Sequence, residues 1–313
     1  MIKLAIVAPC YNEEEVLDSS ALRLKGLLDD LIGKGKISGD SFVLFVNDGS
    51  NDRTWEIISR IHDSDTRFKG ICLAHNVGHQ GAIMAGMMSA RTRCDALVTI
   101  DADLQDELQC IEKMLDSYSE GYDVVYGVKV ERSADSALKR WTAQAYYKML
   151  DSMGVETVYN HADFRFLSRR VLDCLASYKE KNLYLRALIP LIGFPGTTVD
   201  DHIGQREAGK SKYTLRKMLR LSVDGITSFT VKPLYLILYT GIIFVAVSLV
   251  ILICNLVSVI LGNSFTAITT LLISLWFIGG VVLTAIGFTG LYIGRIYSEV
   301  KDRPIYNIQE QLD

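Results

Sequence analysis

From position 233 to position 294 the chain has no Asp, Glu, Lys or Arg, a run of 62 residues. A soluble domain rarely holds such a stretch, because a surface helix keeps charge on its water-facing side. All 33 basic and 36 acidic side chains lie in the remaining 251 positions, close to the quarter usual for a water-soluble domain. A soluble part of roughly 230 residues is therefore joined to a long apolar part. This excludes a purely soluble enzyme, a disordered chain and a small disulfide scaffold.

Residues 233–261 and 267–293 are each long enough to cross a bilayer, which takes about 20 apolar residues. Residues 262–266 form an uncharged turn between them. A buried helical hairpin of a soluble protein is the alternative, but two charge-free lengths of this kind are rare outside lipid. Lys212, Arg216, Lys217, Arg220 and Lys232 flank the first stretch, and Arg295, Lys301 and Arg303 follow the second. Basic residues on both flanks place the flanks, and both termini, on the cytoplasmic face of a cell membrane.

Net charge is −3 overall, with −7 in residues 1–205, +5 in 206–232 and −1 in 295–313. A basic collar beside an apolar run suits an anionic membrane surface. An acidic large domain without a basic stripe argues against nucleic acid as partner. In residues 213–229, Leu215, Met218, Leu219, Val223 and Ile226 fall near one helical face, which predicts an amphipathic helix lying in the interface. The six cysteines are scattered without a CxxC and read as buried free thiols of a reducing compartment. The opening fifteen residues are too short and too soon acidic for a signal peptide.

Before the apolar run, strands alternate with helices. Residues 3–9, 41–46, 70–74, 96–100 and 123–127 are short, mostly apolar runs ending in turns. Helical patterns occupy about 14–32, the stretch opening with Trp55, Ile57, Ile58 and Ile61, and the neighbourhoods of 80–90 and 107–119. Strands apolar throughout suit a parallel sheet covered on both faces, so the predicted class is α/β, doubly wound. Residues 132–177 read as mainly helical, broken by a polar segment at 158–165.

In an open parallel sheet, ligands bind at the carboxyl ends of the strands. Those ends are acidic here: Pro9-Cys10-Tyr11-Asn12-Glu13, Asn47-Asp48-Gly49-Ser50 and Asp101-Ala102-Asp103-Leu104-Gln105-Asp106. Carboxylates converging on one edge repel unless a cation is shared, and Asp101, Asp103 and Gln105 offer the hard oxygens that suit Mg²⁺ or Mn²⁺. Neither GxGxxG nor GxxxxGK[ST] occurs, so a diphosphate would be offset by a metal rather than cradled by backbone amides. That combination points to a nucleotide-diphosphate donor whose leaving group a metal stabilises. His75 and His79 sit four apart, a spacing zinc can use on a helix, but no third ligand is near in sequence; a loop or capping role is expected.

With Asp163-Phe164-Arg165, these motifs stand in the order found in the family 2 glycosyltransferases of the GT-A fold. The chain resembles in particular the membrane-bound polyprenyl-phosphate glycosyltransferases, relatives of dolichol-phosphate mannose synthase and bactoprenol glucosyltransferase. The likeness extends to Arg206, Gly209-Lys210-Ser211-Lys212-Tyr213 and the two apolar spans. It implies a Rossmann-like, mostly parallel sheet in residues 1–212, an interfacial helix at 213–231, a two-helix membrane hairpin at 232–296 and a cytosolic tail at 297–313.

The implied activity is inverting transfer of a sugar onto polyprenyl phosphate, UDP-glucose being the favoured donor, with UDP-linked amino sugars and GDP-mannose as the alternative donors. The resemblance assigns Pro9, Tyr11, Glu13 and Asp48 to the base and ribose, and Asp101 and Ala102 to the nucleotide. Asp103 and Gln105 would bind the metal, and Arg206 and Lys212 would meet a phosphate. Asp163 stands beside the acceptor, with Arg165 pairing with its phosphate. A homo-oligomer, by resemblance a tetramer, would use the small residues Gly279, Gly280, Gly287 and Gly290. Two departures stand out: Asp106-Glu107-Leu108 where relatives often have Asp-Pro-Pro, and His79 where many carry lysine. A processive polysaccharide synthase is disfavoured because Ala137 replaces the Gln of a QxxRW motif ending at Arg140-Trp141. A silent membrane-anchored nucleotide-binding protein is disfavoured by the complete acid set.

Overall fold

The computed structural model describes residues 1–129, 161–178, 180, 184–201, 267–301 and 303–313, with single helical positions at Tyr239, Ile243, Ile253, Val257 and Ile260. Two compact units emerge, one of Met1–Thr214 with Pro304–Asp313, the other of Leu215–Arg303.

The first unit is built on an eight-stranded sheet. Its strands are β1 (Leu4–Cys10), β2 (Phe42–Asn47), β3 (Phe68–Leu73), β4 (Ala96–Thr99), β5 (Val124–Lys129), β6 (His161–Ser168), β7 (Gly196–Asp201) and β8 (Ile308–Leu312), in spatial order β7-β5-β6-β4-β1-β2-β3-β8. Every residue of β1, β2 and β4 is buried, as continuous apolar runs require when helices cover both faces. The parallel pairs β4-β1-β2-β3 form the centre; β6 and β8 run against their neighbours.

Helices α1 (Leu17–Gly33), α2 (Thr54–Ser64), α3 (His79–Ala90) and α4 (Cys110–Ser119) connect the first five strands. Leu24, Leu28 and Leu31 of α1 lie fully buried in one core with Ile6, Val43 and Phe45, each contributing about 2 kcal/mol through burial. α3 packs on the sheet so closely that a Cβ at Gly86 would come 2.4 Å from Val7 Cγ1 and 2.8 Å from Val46 Cγ2. Helices α5 (Arg169–Leu175) and α6 (Leu185–Leu191) follow β6.

Two elements differ from the sequence expectation. The polar segment expected to interrupt helices holds a strand: β6 lies between β4 and β5 and is antiparallel to both. Residues 308–312, expected in a tail, form an edge strand antiparallel to β3. Residues 130–160, the amphipathic helix at 213–231 and most of the first apolar stretch lie outside the described residues.

The second unit contains α7 (Ala267–Val300), a helix of 34 residues. Leu271, Leu275, Phe277, Ile278 and Ile286 are exposed along it, as are the helical Tyr239, Ile243, Ile253, Val257 and Ile260. Over the described residues alone, no helix is long and apolar enough to cross a membrane. Many α7 side chains fall outside that description, whereas its sequence is uncharged from Ala267 to Gly294.

Candidate active site

Four loops meet at the carboxyl edge of the central strands. The register pairs Thr99 of β4 with Arg165 of the antiparallel β6. The start of β6 therefore lies beside the end of β4, which brings Asp163 level with Asp101. Thr99 Oγ1 donates to the Asp163 carbonyl and fixes this alignment.

Asp163 is the hub. Its carboxylate accepts from the Arg165 guanidinium, from Arg186 Nε and Nη2 at 3.4 and 3.3 Å, and from Gln80 Nε2 at 3.2 Å. His79 Nε2 lies 3.2 Å from Asp163 Oδ2 and 3.6 Å from Asp101 Oδ1. Burial alone would raise the Asp163 pKa. The Arg186 charge, the His79 bond and the Arg165 charge outweigh it, holding the carboxyl well below the ordinary range. For His79, withdrawal from water is likewise outweighed, by the bond to Asp163 and the charges of Asp101 and Asp163, and its pKa is raised.

Arg165 does not sit where an acceptor phosphate would reach it. Its side chain is 1% exposed and donates to Asp163 and, at 3.2 Å, to the Leu185 carbonyl. Arg186, unremarked in the sequence, is the guanidinium on the open side, with 29% of its side chain exposed. His79 is more than a cap, since it bridges the acid loop after β4 and the acid of β6. No local motif could have revealed either residue, because His79 lies 84 positions before Asp163 and Arg186 lies 23 positions after it, on a separate helix.

Asp48 is buried and committed to backbone: Val77 and Gly78 donate to its two carboxylate oxygens at 2.7 and 3.0 Å. Burial raises its pKa against these two amides. It thereby pins the entry to α3, and Gly49 next to it, at φ 61°, allows the chain to turn against His75 and Asn76. A pocket of about 420 Å³ opens here, lined by Tyr11, Gly49, Ser50, His75 and Asn76 among others. Pro9 lies within β1, and Glu13 opens α1 by accepting from Val16 and Leu17 through its carbonyl.

The loop after β4 holds Leu104 in the left-handed region at φ 46° although its side chain is buried, a strain of about 1–2 kcal/mol. Ser20 Oγ donates to the Ala102 carbonyl at 2.6 Å and ties this loop to α1. Asp103 Oδ1 is buried without a hydrogen-bond partner among the described residues, while Gln105 donates to Oδ2. That orphaned oxygen fits a hard divalent cation. No group of three or more His, Cys, Asp or Glu that could hold a metal occurs among the described residues. Asp103 and Gln105 thus form a sparse donor set of the kind Mg²⁺ completes with substrate phosphates and water.

Behind this loop Asp106 faces Asp201, which the sequence reading missed. Burial pushes Asp106 up to about 7, Lys129 opposes, and the charges of Asp101 and Asp201 add to the rise. Asp201 Oδ1 accepts from the Glu107 amide at 2.8 Å, so the Asp-Glu-Leu departure is anchored on β7 before α4 begins. Arg206 and Lys212 lie outside the described residues.

Residues 5–176 match the family model described as glycosyl transferase family 2. An uncharacterised glycosyltransferase, YkoT, of Bacillus subtilis (strain 168) is 43% identical over 309 residues, covering 99% of this chain and 92% of that protein. The bactoprenol glucosyl transferase of Shigella phage SfX is 32% identical over 312 residues, covering 99% and 100%. Among solved structures, the Pyrobaculum calidifontis mannosyltransferase PcManGT, in complex with GDP-Man and Mn²⁺, overlaps with a TM-score of 0.45 at 14% identity, over 96% of this chain and 87% of that one; an overlap of this size transfers no ligand. The matched model and the full-length relatives place the chain in glycosyl transferase family 2.

Proposed function

We propose that this glycosyltransferase moves a sugar, glucose from UDP-glucose, onto a polyprenyl phosphate at the cytoplasmic face of a cell membrane. The observation that carries the reading is the convergence of Asp101, His79, Asp163 and Arg186 at one edge of the sheet. An acid loop beside a cationic group supports a reading in which the donor diphosphate and the acceptor phosphate meet at this edge. The bactoprenol glucosyl transferases, alike over nearly the whole chain, support the acceptor and the sugar.

Membrane attachment is part of the same reading. It rests on the charge-free residues 233–294 and on chain connectivity. The Leu215–Arg303 unit leaves from and returns to the first unit, so any bilayer crossings within it are even in number.

The acceptor chemistry sets the mechanism. A phosphate monoester has its second pKa near 6 and is largely ionised at neutral pH. One of its oxygens attacks the anomeric carbon, the bond from that carbon to the nucleotide diphosphate breaks, and the diphosphate leaves with the electron pair. A single displacement inverts the anomeric configuration. No strong base is needed, and Asp163, held ionised by Arg165, Arg186 and His79, is a poor one. Its work is to orient Arg186 and His79, which screen the repulsion between two anions. Asp103 with Gln105 would hold a divalent cation, which supplies charge neutralisation to the departing diphosphate.

The test is incubation of membranes containing the protein with radiolabelled UDP-glucose, Mg²⁺ and polyprenyl phosphate. Acid-labile label in the organic phase supports the proposal. Insoluble polymer would favour a processive synthase, and donor binding without transfer a silent binding protein.

A further inference from the structure

The pocket at the ends of β1, β2 and β3 has a wall that comes from the far end of the chain. Gln309 of β8 lines it, although 250 to 300 positions separate it from the other lining residues Tyr11 and Asn51. The β3–β8 register explains how. Cys72 pairs with Glu310 and Leu73 with Ile308, so Gln309 is an extra residue opposite no partner. A bulge of this kind re-aims a side chain and is frequent beside active sites. The strand carrying it is held firmly: Trp55 Nε1 donates to Glu310 at 3.0 Å, Arg93 pairs with Asp313, and a Cβ at Gly70 would lie 3.2 Å from Leu312.

The pocket's chemistry identifies its occupant. No Asp, Glu, Lys or Arg lines it, so it suits a neutral group rather than a phosphate. Several of its polar side chains are committed to joining loops: Asn47 to Cys72 and Ser50, Ser50 to Asn12, and Asn76 to the Asp48 carbonyl. Among the described residues, Tyr11, Asn51, His75 and Gln309 have side chains engaged by no hydrogen bond, and Tyr11 is 39% exposed. A stacking face with uncommitted hydrogen-bonding side chains beside it is what a nucleobase requires.

We propose that Gln309, turned into the pocket by the β8 bulge, reads the base edge of the donor nucleotide and so sets nucleotide specificity. This rests on the nucleotide-sugar reading above. The strand that follows the 215–303 unit in the chain thereby completes the donor site built by the first hundred residues.

Displacement of radiolabelled UDP from the full-length protein in lipid nanodiscs tests this, using UDP, CDP, GDP and inorganic pyrophosphate as competitors. The unsubstituted protein should favour one nucleoside diphosphate over pyrophosphate by tenfold or more. Gln309→Ala should weaken that nucleotide by about three- to tenfold, as expected for one lost hydrogen bond. It should also compress the ratio between UDP and CDP and leave pyrophosphate and the thermal midpoint unchanged. Unaltered ratios in Gln309→Ala, with ratios compressed in Tyr11→Ala, would overturn the role of Gln309 and leave the base pocket standing. A parallel loss of nucleotide and pyrophosphate, or a lowered thermal midpoint, would reduce Gln309 to a structural residue and also overturn it. If the unsubstituted protein fails to distinguish nucleotides from pyrophosphate, the base-pocket reading itself falls.

Discussion

Asp163 neutralises Arg165, a guanidinium 1% exposed and sealed between β6 and the Leu185 carbonyl. The acid at the centre of the site is therefore also a structural counter-ion. Asp163→Asn strips the charge partner from a buried cation, which typically costs about 3–5 kcal/mol. Urea unfolding of the full-length protein should show a loss of this order, and Asp163→Asn/Arg165→Met should recover part of it. The folded pKa is depressed, so the Asp163 contribution is full above the unfolded value of about 3.9 and fades as pH falls below it. Asp163→Asn unfolding at the same urea concentration as the unsubstituted protein at pH 7 would contradict this pairing.

The imidazole of His79 carries the opposite sign. Its folded pKa is raised, so its stabilising contacts with Asp163 and Asp101 are fully present below the unfolded value of about 6.5. They are lost as pH rises through the folded value. His79→Gln should therefore lower the thermal midpoint most at pH 6 and least at pH 9. A pH-independent difference would reduce His79 to a helix cap. His79→Lys, which restores a permanent cation at the same place, should remove the pH dependence.

Gly49 has φ 61°, and a Cβ there would meet Asn76 N at 2.7 Å and the His75 carbonyl carbon at 2.8 Å, both backbone atoms that cannot swing aside. Gly49→Ala should cost about 2 kcal/mol from the left-handed conformation and crowding together. Because His75 and Asn76 line the pocket, the Michaelis constant for the donor should rise with it. A substitution that lowers stability and leaves donor affinity intact would separate the pocket from nucleotide binding.

The central fold was legible because β1 to β5 are apolar on both faces, and the sequence places each within two residues of its observed bounds. The acid-bearing ends of β1, β2 and β4 could be read for the same reason. β6 was hidden by its own function. Asp163 and Arg165 look like loop residues until their mutual pairing allows both to be buried in a central strand. β7 and β8 are largely exposed and polar, as sheet edges tend to be, and carry no hydrophobic period to announce them. Arg186, Asp201 and Gln309 reach the site only through those strands and α6, so no local motif marks them. The candidate cation ligands Asp103 and Gln105 were visible as hard-oxygen spacing, but the orphaned oxygen of Asp103, which fits a cation, is a property of burial.

The cation-assisted transfer itself is tested most directly by one titration. Purified protein in nanodiscs, supplied with labelled UDP-glucose and polyprenyl phosphate, is assayed across free Mg²⁺ from excess chelator to millimolar. The account predicts acid-labile glucolipid that rises with the cation, requires the lipid phosphate, and is lost in Asp103→Asn. Undiminished transfer in excess chelator, or product formed without the lipid phosphate, would contradict it.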